Sequence, residues 1–303
     1  MSFYNRPKGK IFNVTLACLL ALAFIFSAYV ANYGNHVGDR YISHDITNQF
    51  KNSDVFTRET ISGTQTQYEE SPEKWILRFK LYSVDPDELL NLIALQRART
   101  SEPLGDPKFY SYGGAYLYPL GGYFYVLSRL NVIDTALTAD KNRDFKDVYR
   151  YGRLLVLVFF ISTLGVLCVS LKNNLILPSS ALLFFLSVAT SPAIFIFSIT
   201  LKPHAWALSF YLLALSAALK PYLTRSNVAL IGALSGLSIG SAITFAPILI
   251  TYGFVNSSFS SLRRLLSPLF LGSAAVTFIS TNPYLFLNTV SRTDEIDKQL
   301  SLF

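Results

Sequence analysis

Gly152-Arg153-Leu154-Leu155-Val156-Leu157-Val158-Phe159-Phe160-Ile161-Ser162-Thr163-Leu164-Gly165-Val166-Leu167-Cys168-Val169-Ser170-Leu171 is the stretch that decides the fold. After Arg153 it carries no charge until Lys172. At about 1.5 Å per residue it is long enough for the roughly 30 Å of a bilayer's hydrocarbon. The rest of the chain agrees. Hydrophobic residues make up 51% of it and charged residues 15%, with mean hydropathy +0.36. That balance is too apolar for an ordinary soluble domain and fits a polytopic membrane protein.

Working outward, spans are expected at 11–31, 152–171, 175–195, 203–219, 227–241, 243–256 and 265–285. Arg6, Lys8 and Lys10 precede the first, which runs from Ile11 to Ala31. A cleaved signal peptide has a shorter apolar core of about 7–15 residues and small residues at its cleavage site. Tyr29-Val30-Ala31 makes a poor site, so a retained helix is the better reading. The stretch 227–256 reads either as two short spans or as one Gly-interrupted helix. Two spans place Lys172, Lys220, Arg225, Arg263 and Arg264 all on the side of the N-terminus; one span puts the last two opposite. The orientation bias of lysine and arginine favours seven spans with a cytoplasmic N-terminus.

The fold expected is mainly α: a polytopic bundle of about seven spans, with a mixed α/β external loop domain between spans 1 and 2. Residues 1–31 form the stub and first helix, 32–149 the external loop, 150–288 six further spans and 289–303 an external tail. In the loop, Trp75–Leu81 alternates as a strand does, 37–70 supplies hairpin partners, and 87–99 turns helical with Leu89, Leu90, Ile93 and Ala94 on one side. Gly113 to Leu130 is an interfacial or re-entrant apolar segment. The sequons at Asn13 and Asn256 fall in or near a helix and on the cytoplasmic side, so neither is expected to carry sugar. Cys18 and Cys168 both lie in apolar spans and make neither a disulfide framework nor a metal cluster. The net charge of +7 lies in short segments between spans, which argues against nucleic acid as a partner.

The acids are confined. Of 19, 16 lie between residues 32 and 149, the others are Asp294, Glu295 and Asp297, and 148–293 holds none. Asp85-Pro86-Asp87-Glu88 gathers three at one turn. Locally this is a helix start: Asp85 at the N-cap, Pro86 at N1, Asp87 at N2 and Glu88 at N3 as a capping box. A functional reading stands beside it, in which one carboxylate accepts a proton from an attacking hydroxyl while its neighbour orients or binds substrate. Lys202 and His204, around Pro203, are either interfacial residues or ligands for a phosphate. Arg150 and Arg153 run against the orientation bias, so at least one is expected to have a task or a carboxylate partner. Phe109-Tyr110-Ser111-Tyr112, with Tyr116 and Tyr118, reads as an interfacial belt or a platform for a sugar ring. No P-loop or HExxH is present, and close acids at a helix start are no metal signature, so no cofactor is expected.

These stretches resemble the GT-C class of integral membrane glycosyltransferases, of the type of protein O-mannosyltransferases and lipid A aminoarabinose transferases. The resemblance rests on Pro86-Asp87-Glu88, Tyr112-Gly113-Gly114-Ala115-Tyr116-Leu117-Tyr118-Pro119 and Tyr151-Gly152-Arg153. Lys202-Pro203-His204 and Gly236-Leu237-Ser238-Ile239-Gly240, leading to Asn282-Pro283-Tyr284, complete the ordered set. It implies transfer of a sugar from a polyprenyl-phosphate donor to a lipid, glycan or protein hydroxyl at the external face of a bacterial inner membrane, with inversion. By that resemblance Asp87 and Glu88 are catalytic, with Asp87 the base; Lys202, His204, Arg153 and Tyr112 bind donor and phosphate. Relatives continue through further spans, so Phe303 is expected to close a truncated chain or a minimal core. The alternatives are a non-catalytic protein of envelope polysaccharide or lipid assembly that keeps this core, and a transporter. The transporter is disfavoured because no carboxylate lies within the spans.

Overall fold

The computed structural model describes residues 6–33, 57–59, 65–67, 86–100, 105–107, 112–133, 142–220, 222–246 and 267–287. Within them the protein is mainly helical. The elements are α1 (Arg6–Tyr33), β1 (Thr57–Glu59), β2 (Gln65–Gln67), α2 (Pro86–Thr100), α3 (Gly114–Arg129) and α4 (Asn142–Asn174). There follow α5 (Pro178–Ala189), α6 (Pro192–Ser198), α7 (Pro203–Ala218), α8 (Arg225–Ser241), α9 (Pro268–Thr281) and α10 (Pro283–Leu287).

Among the described residues two helices are long and apolar enough to cross a membrane, α1 over Lys10–Asn32 and α4 over Asp147–Asn174. They lie antiparallel. At one end the Lys172 ammonium sits 4.5 Å from the Phe12 ring centroid and donates to Asn13 Oδ1 at 3.4 Å. At the other, Arg153 Nη1 donates to the Ala31 carbonyl at 2.9 Å. The 19 residues from Arg153 to Lys172 span about 28 Å of helix, close to the hydrocarbon thickness. Phe12, Leu16, Leu164, Leu167 and Phe185 fill the seam that α1 and α4 make with α5.

Among the described residues two helices meet the length and apolarity of a span, or three if α5 and α6 form one span bent by 71°, against the seven expected; most of the expected 243–256 span lies outside those residues. Composition hid the breaks. Proline stands at the first position of α2, α5, α6, α7, α9 and α10, where its missing N–H costs nothing but the preceding turn cannot continue. It cuts long apolar sequence into pieces: α7 has 16 residues and α9 has 14, short of the roughly 20 a span needs. The choice over 227–256 falls against a single helix, because α8 ends at Ser241 and Ala242 is extended before a short 3-10 turn at Ile243–Phe245.

In the 32–149 loop the described residues hold three helical stretches and one small hairpin. β1 pairs antiparallel with β2, Thr57 opposite Gln67, inside the region expected to supply a hairpin. The expected strand at Trp75–Leu81 lies outside the described residues, and helix dominates what is described. The α2 face also differs from expectation. Glu88, Leu89, Asn91, Leu92 and Ala94 are buried and Leu90 is exposed, so two polar residues occupy the inner side.

α3 packs in the core through Tyr116, Leu117, Leu120 and Phe124, beside Val156, Leu201 and Trp206. Pro119 inside α3 has no N–H for the Ala115 carbonyl four residues back. Trp206 Nε1 supplies the missing donor at 3.1 Å, so the kink residue and the indole form one unit. α8 and α9 run parallel and touch backbone to backbone. A Cβ on Gly232 would strike the Phe270 carbonyl, and one on Gly236 the Ala274 carbonyl. Small residues at four-residue intervals permit that approach.

Candidate functional site

The site begins with Glu88, whose side chain is fully buried. Burial of a lone carboxylate is prohibitive, so it needs a partner and donors. Arg153 supplies both in a fork: Nε donates to Oε1 at 2.8 Å and Nη2 to Oε2 at 2.5 Å. The Leu201 N–H adds a third bond to Oε1, at 2.6 Å. Since Arg153 also caps the Ala31 carbonyl, one ion pair ties α2 to α1, to α4 and to the turn before α7. Glu88 thus has a tertiary role that the cap reading does not contain, and α2 begins at Pro86 as a helix start predicts. Asp85 lies outside the described residues.

One helical turn on, Asn91 completes the grip. Its Nδ2 donates to the Leu201 carbonyl at 2.7 Å and to the Asp87 carbonyl at 3.2 Å. Side chains at i and i+3 share a helix face, so α2 holds the N–H and the C=O of the same buried residue. This fixes Lys202, the next residue, beside the start of α2. Lys202 Nζ lies 2.9 Å from Asp87 Oδ2, with the lysine side chain 16% exposed and the aspartate 41%.

Tyr112 closes the group, its hydroxyl donating to Asp87 Oδ2 at 3.3 Å. His204, one residue past Pro203, stacks on Phe197 at 5.0 Å and meets Tyr112 edge-on at 6.3 Å. Asp87, Lys202, Tyr112 and His204 therefore stand around one half-exposed point, although they come from three separate segments. Compared with known proteins, the chain matches no family model, no curated protein and no solved structure. The site therefore speaks through its own geometry.

Two expected site residues sit elsewhere in this arrangement. Arg153 is 3% exposed and occupied by Glu88 and Ala31, which places it behind the site as a brace. Glu88 faces Arg153, away from the exposed point that Asp87 faces. Of the aromatic stretch, Tyr116 is wholly buried. Burial first, then the Glu88 charge and neighbouring Tyr112, push its phenol well above its ordinary value, so it stays protonated. Tyr112 and Tyr118 instead line a cleft of about 440 Å³, counting space open to solvent, together with Gly113, Phe278, Asn282 and Tyr284. Phe109, Tyr110 and Ser111 lie outside the described residues.

Asn282 frames that cleft. Its Oδ1 accepts from the Gly114 N–H at 2.9 Å and its Nδ2 donates to the Gly240 carbonyl at 3.3 Å, while the Gly113 N–H donates to the Ser241 carbonyl at 3.0 Å. A Cβ on Gly113 would overlap the Gly240 carbonyl and one on Gly114 the Thr281 carbonyl. The Gly113-Gly114, Gly236–Gly240 and Asn282 stretches, distant in sequence, thus meet at one point. Among the described residues no cluster of three or more His, Cys, Asp or Glu could hold a metal ion.

Missed by sequence reasoning are Asn91, the Leu201 clamp and the hub role of Asn282. Asn91 had one signal: a polar residue between Leu90 and Leu92, one turn after Glu88. Leu201 had none, because its task rests on its backbone.

Proposed function

We propose that this chain is a membrane glycosyltransferase of GT-C type, or a portion of one, moving a sugar from a polyprenyl-phosphate donor to an acceptor hydroxyl. The observation that carries this reading is the half-exposed carboxylate of Asp87, held by Lys202 and Tyr112, with His204 packed edge-on to that tyrosine. A lipid-borne phosphate at the bilayer surface would meet Lys202 and His204 while its tail stays in hydrocarbon. Asp87 takes the proton of the acceptor hydroxyl as its oxygen attacks the anomeric carbon. The bond from that carbon to the phosphate oxygen breaks, and the prenyl phosphate leaves with the electron pair and inversion at the sugar. Lys202 faces the charge that gathers on the leaving group. Glu88 and Arg153 act as positioning residues that hold α2 and the Lys202 turn together.

The sidedness proposed places the site on the external face of a bacterial inner membrane. Lys172, Lys220 and Arg225 stand at the opposite ends of α4, α7 and α8, where a positive-inside bias puts the cytoplasm. The reading is tested with Asp87→Asn in purified protein given a polyprenyl-phosphate-linked sugar. Transfer is expected to fall by about 10²–10⁴-fold, the share a positioned base supplies. Transfer unchanged by the substitution sinks the assignment. A second reading draws on the same pair: an Asp87–Lys202 bridge is also what a non-catalytic assembly protein of this core would keep as a brace. In that case neither the parent protein nor the variant transfers sugar.

A further inference from the structure

The base proposed above is already occupied. Asp87 Oδ2 receives both Lys202 Nζ, at 2.9 Å, and the Tyr112 hydroxyl, at 3.3 Å. A carboxylate oxygen so engaged is a poor acceptor for a substrate proton, and a lysine so engaged is a poor partner for a phosphate. The two partners differ in mobility. Lys202 is anchored through its neighbour Leu201, yet its charge rides on a flexible four-carbon stem that can swing without backbone movement. Tyr112 has a rigid ring, lines the cleft and packs edge-on to His204.

We infer that the Asp87–Lys202 pair is the resting state of the site and that an anionic phosphate ester opens it by exchange. Resting on the glycosyltransferase reading, this adds the order of events. The headgroup arrives in the cleft beside Tyr112 and takes the Lys202 ammonium into its own ion pair. Asp87 keeps the Tyr112 hydroxyl, which holds it aimed while the departure of the ammonium opens it to the acceptor. The carboxylate then works as a base only with donor in place, so the site does not present a competent base to water without a sugar to transfer. Arg153 cannot substitute for Lys202, since its fork is committed to Glu88 and Ala31. The exchange needs no covalent step, only a swap of one ion pair for another.

The experiment is a double-mutant cycle on binding, without turnover. The full chain in detergent micelles is titrated calorimetrically with farnesyl phosphate, and with farnesol as the uncharged control, for the parent, Asp87→Asn, Lys202→Gln and the double variant. Asp87→Asn removes the competitor for Lys202, so farnesyl phosphate should bind about two- to fivefold tighter, the range a half-exposed ion pair supports. Lys202→Gln should weaken binding, and in that background Asp87→Asn should bring no gain. Farnesol should not distinguish the four proteins. A gain equal in both backgrounds means that Asp87 only repels the anion through space, and the exchange is overturned. Tighter binding absent from Asp87→Asn, or farnesol bound as well as its phosphate, overturns it too. The transfer assay on Asp87→Asn answers the separate question of whether the chain is a transferase.

Discussion

The two ends of the α1–α4 pair handle charge in opposite ways. At the Lys172 end the cation lies over the Phe12 ring with an asparagine oxygen within reach, in a position open to solvent. At the Arg153 end a guanidinium and a carboxylate are sealed from water, with a backbone amide and a carbonyl completing their bonds. The first arrangement is loose and replaceable. The second is costly to bury and costlier to break, because removing one partner strands the other charge. Expensive buried charge pays for geometry, and at this end what it fixes is Lys202 beside Asp87.

The largest test of that contrast is Glu88→Gln. Arg153 would be left buried without its counter-charge, and stability should drop by about 3–5 kcal/mol, read as the midpoint of denaturant unfolding in micelles. The paired replacement Glu88→Leu with Arg153→Met separates stability from function. An apolar pair of similar bulk restores much of the loss, yet the Leu201 N–H loses its acceptor and the Lys202 turn its anchor. Restored stability with normal transfer would break the link between brace and site. Next comes Trp206→Phe, which keeps the ring packing and strips the donor from the Ala115 carbonyl. A cost of about 1–3 kcal/mol is expected for the orphaned buried acceptor. Pro119→Ala in the same chain should recover part of it, because residue 119 then offers its own N–H. The smallest effect belongs to the loose end, where Lys172→Ala should cost no more than about 1 kcal/mol, the scale of an exposed cation–ring contact. A loss there as large as that of Glu88→Gln would erase the contrast.

Much of the site was legible, and for a definite reason. Asp87, Lys202, Tyr112 and His204 stand out because charged and hydroxyl-bearing residues beside apolar helices are rare enough to notice. Arg153 stood out because the expected topology sets it against the orientation bias, and its carboxylate partner is Glu88. Which carboxylate of the 85–88 turn it takes was not legible, since that depends on helix phase across 65 positions of sequence. Helix identity was readable from hydropathy; helix length was not. Thr190-Ser191-Pro192 bends the α5–α6 pair, and Asn282-Pro283 separates α9 from α10, at places where average hydropathy barely changes.

The grip on Leu201 has a consequence for how such a chain can vary. Side chains of α2 hold the amide and the carbonyl of that residue, and neither bond reads which side chain position 201 carries. Substitution there is a question of apolar fit alone. A change in length is another matter. Deleting one residue between Ser198 and Leu201 would bring Lys202 into the clamp, carry its ammonium away from the carboxylate and leave Pro203, which has no charge to offer, in its place. The connection is therefore permissive in spelling and intolerant of counting errors, so insertions and deletions in this turn should be far rarer than substitutions in any library selected for activity.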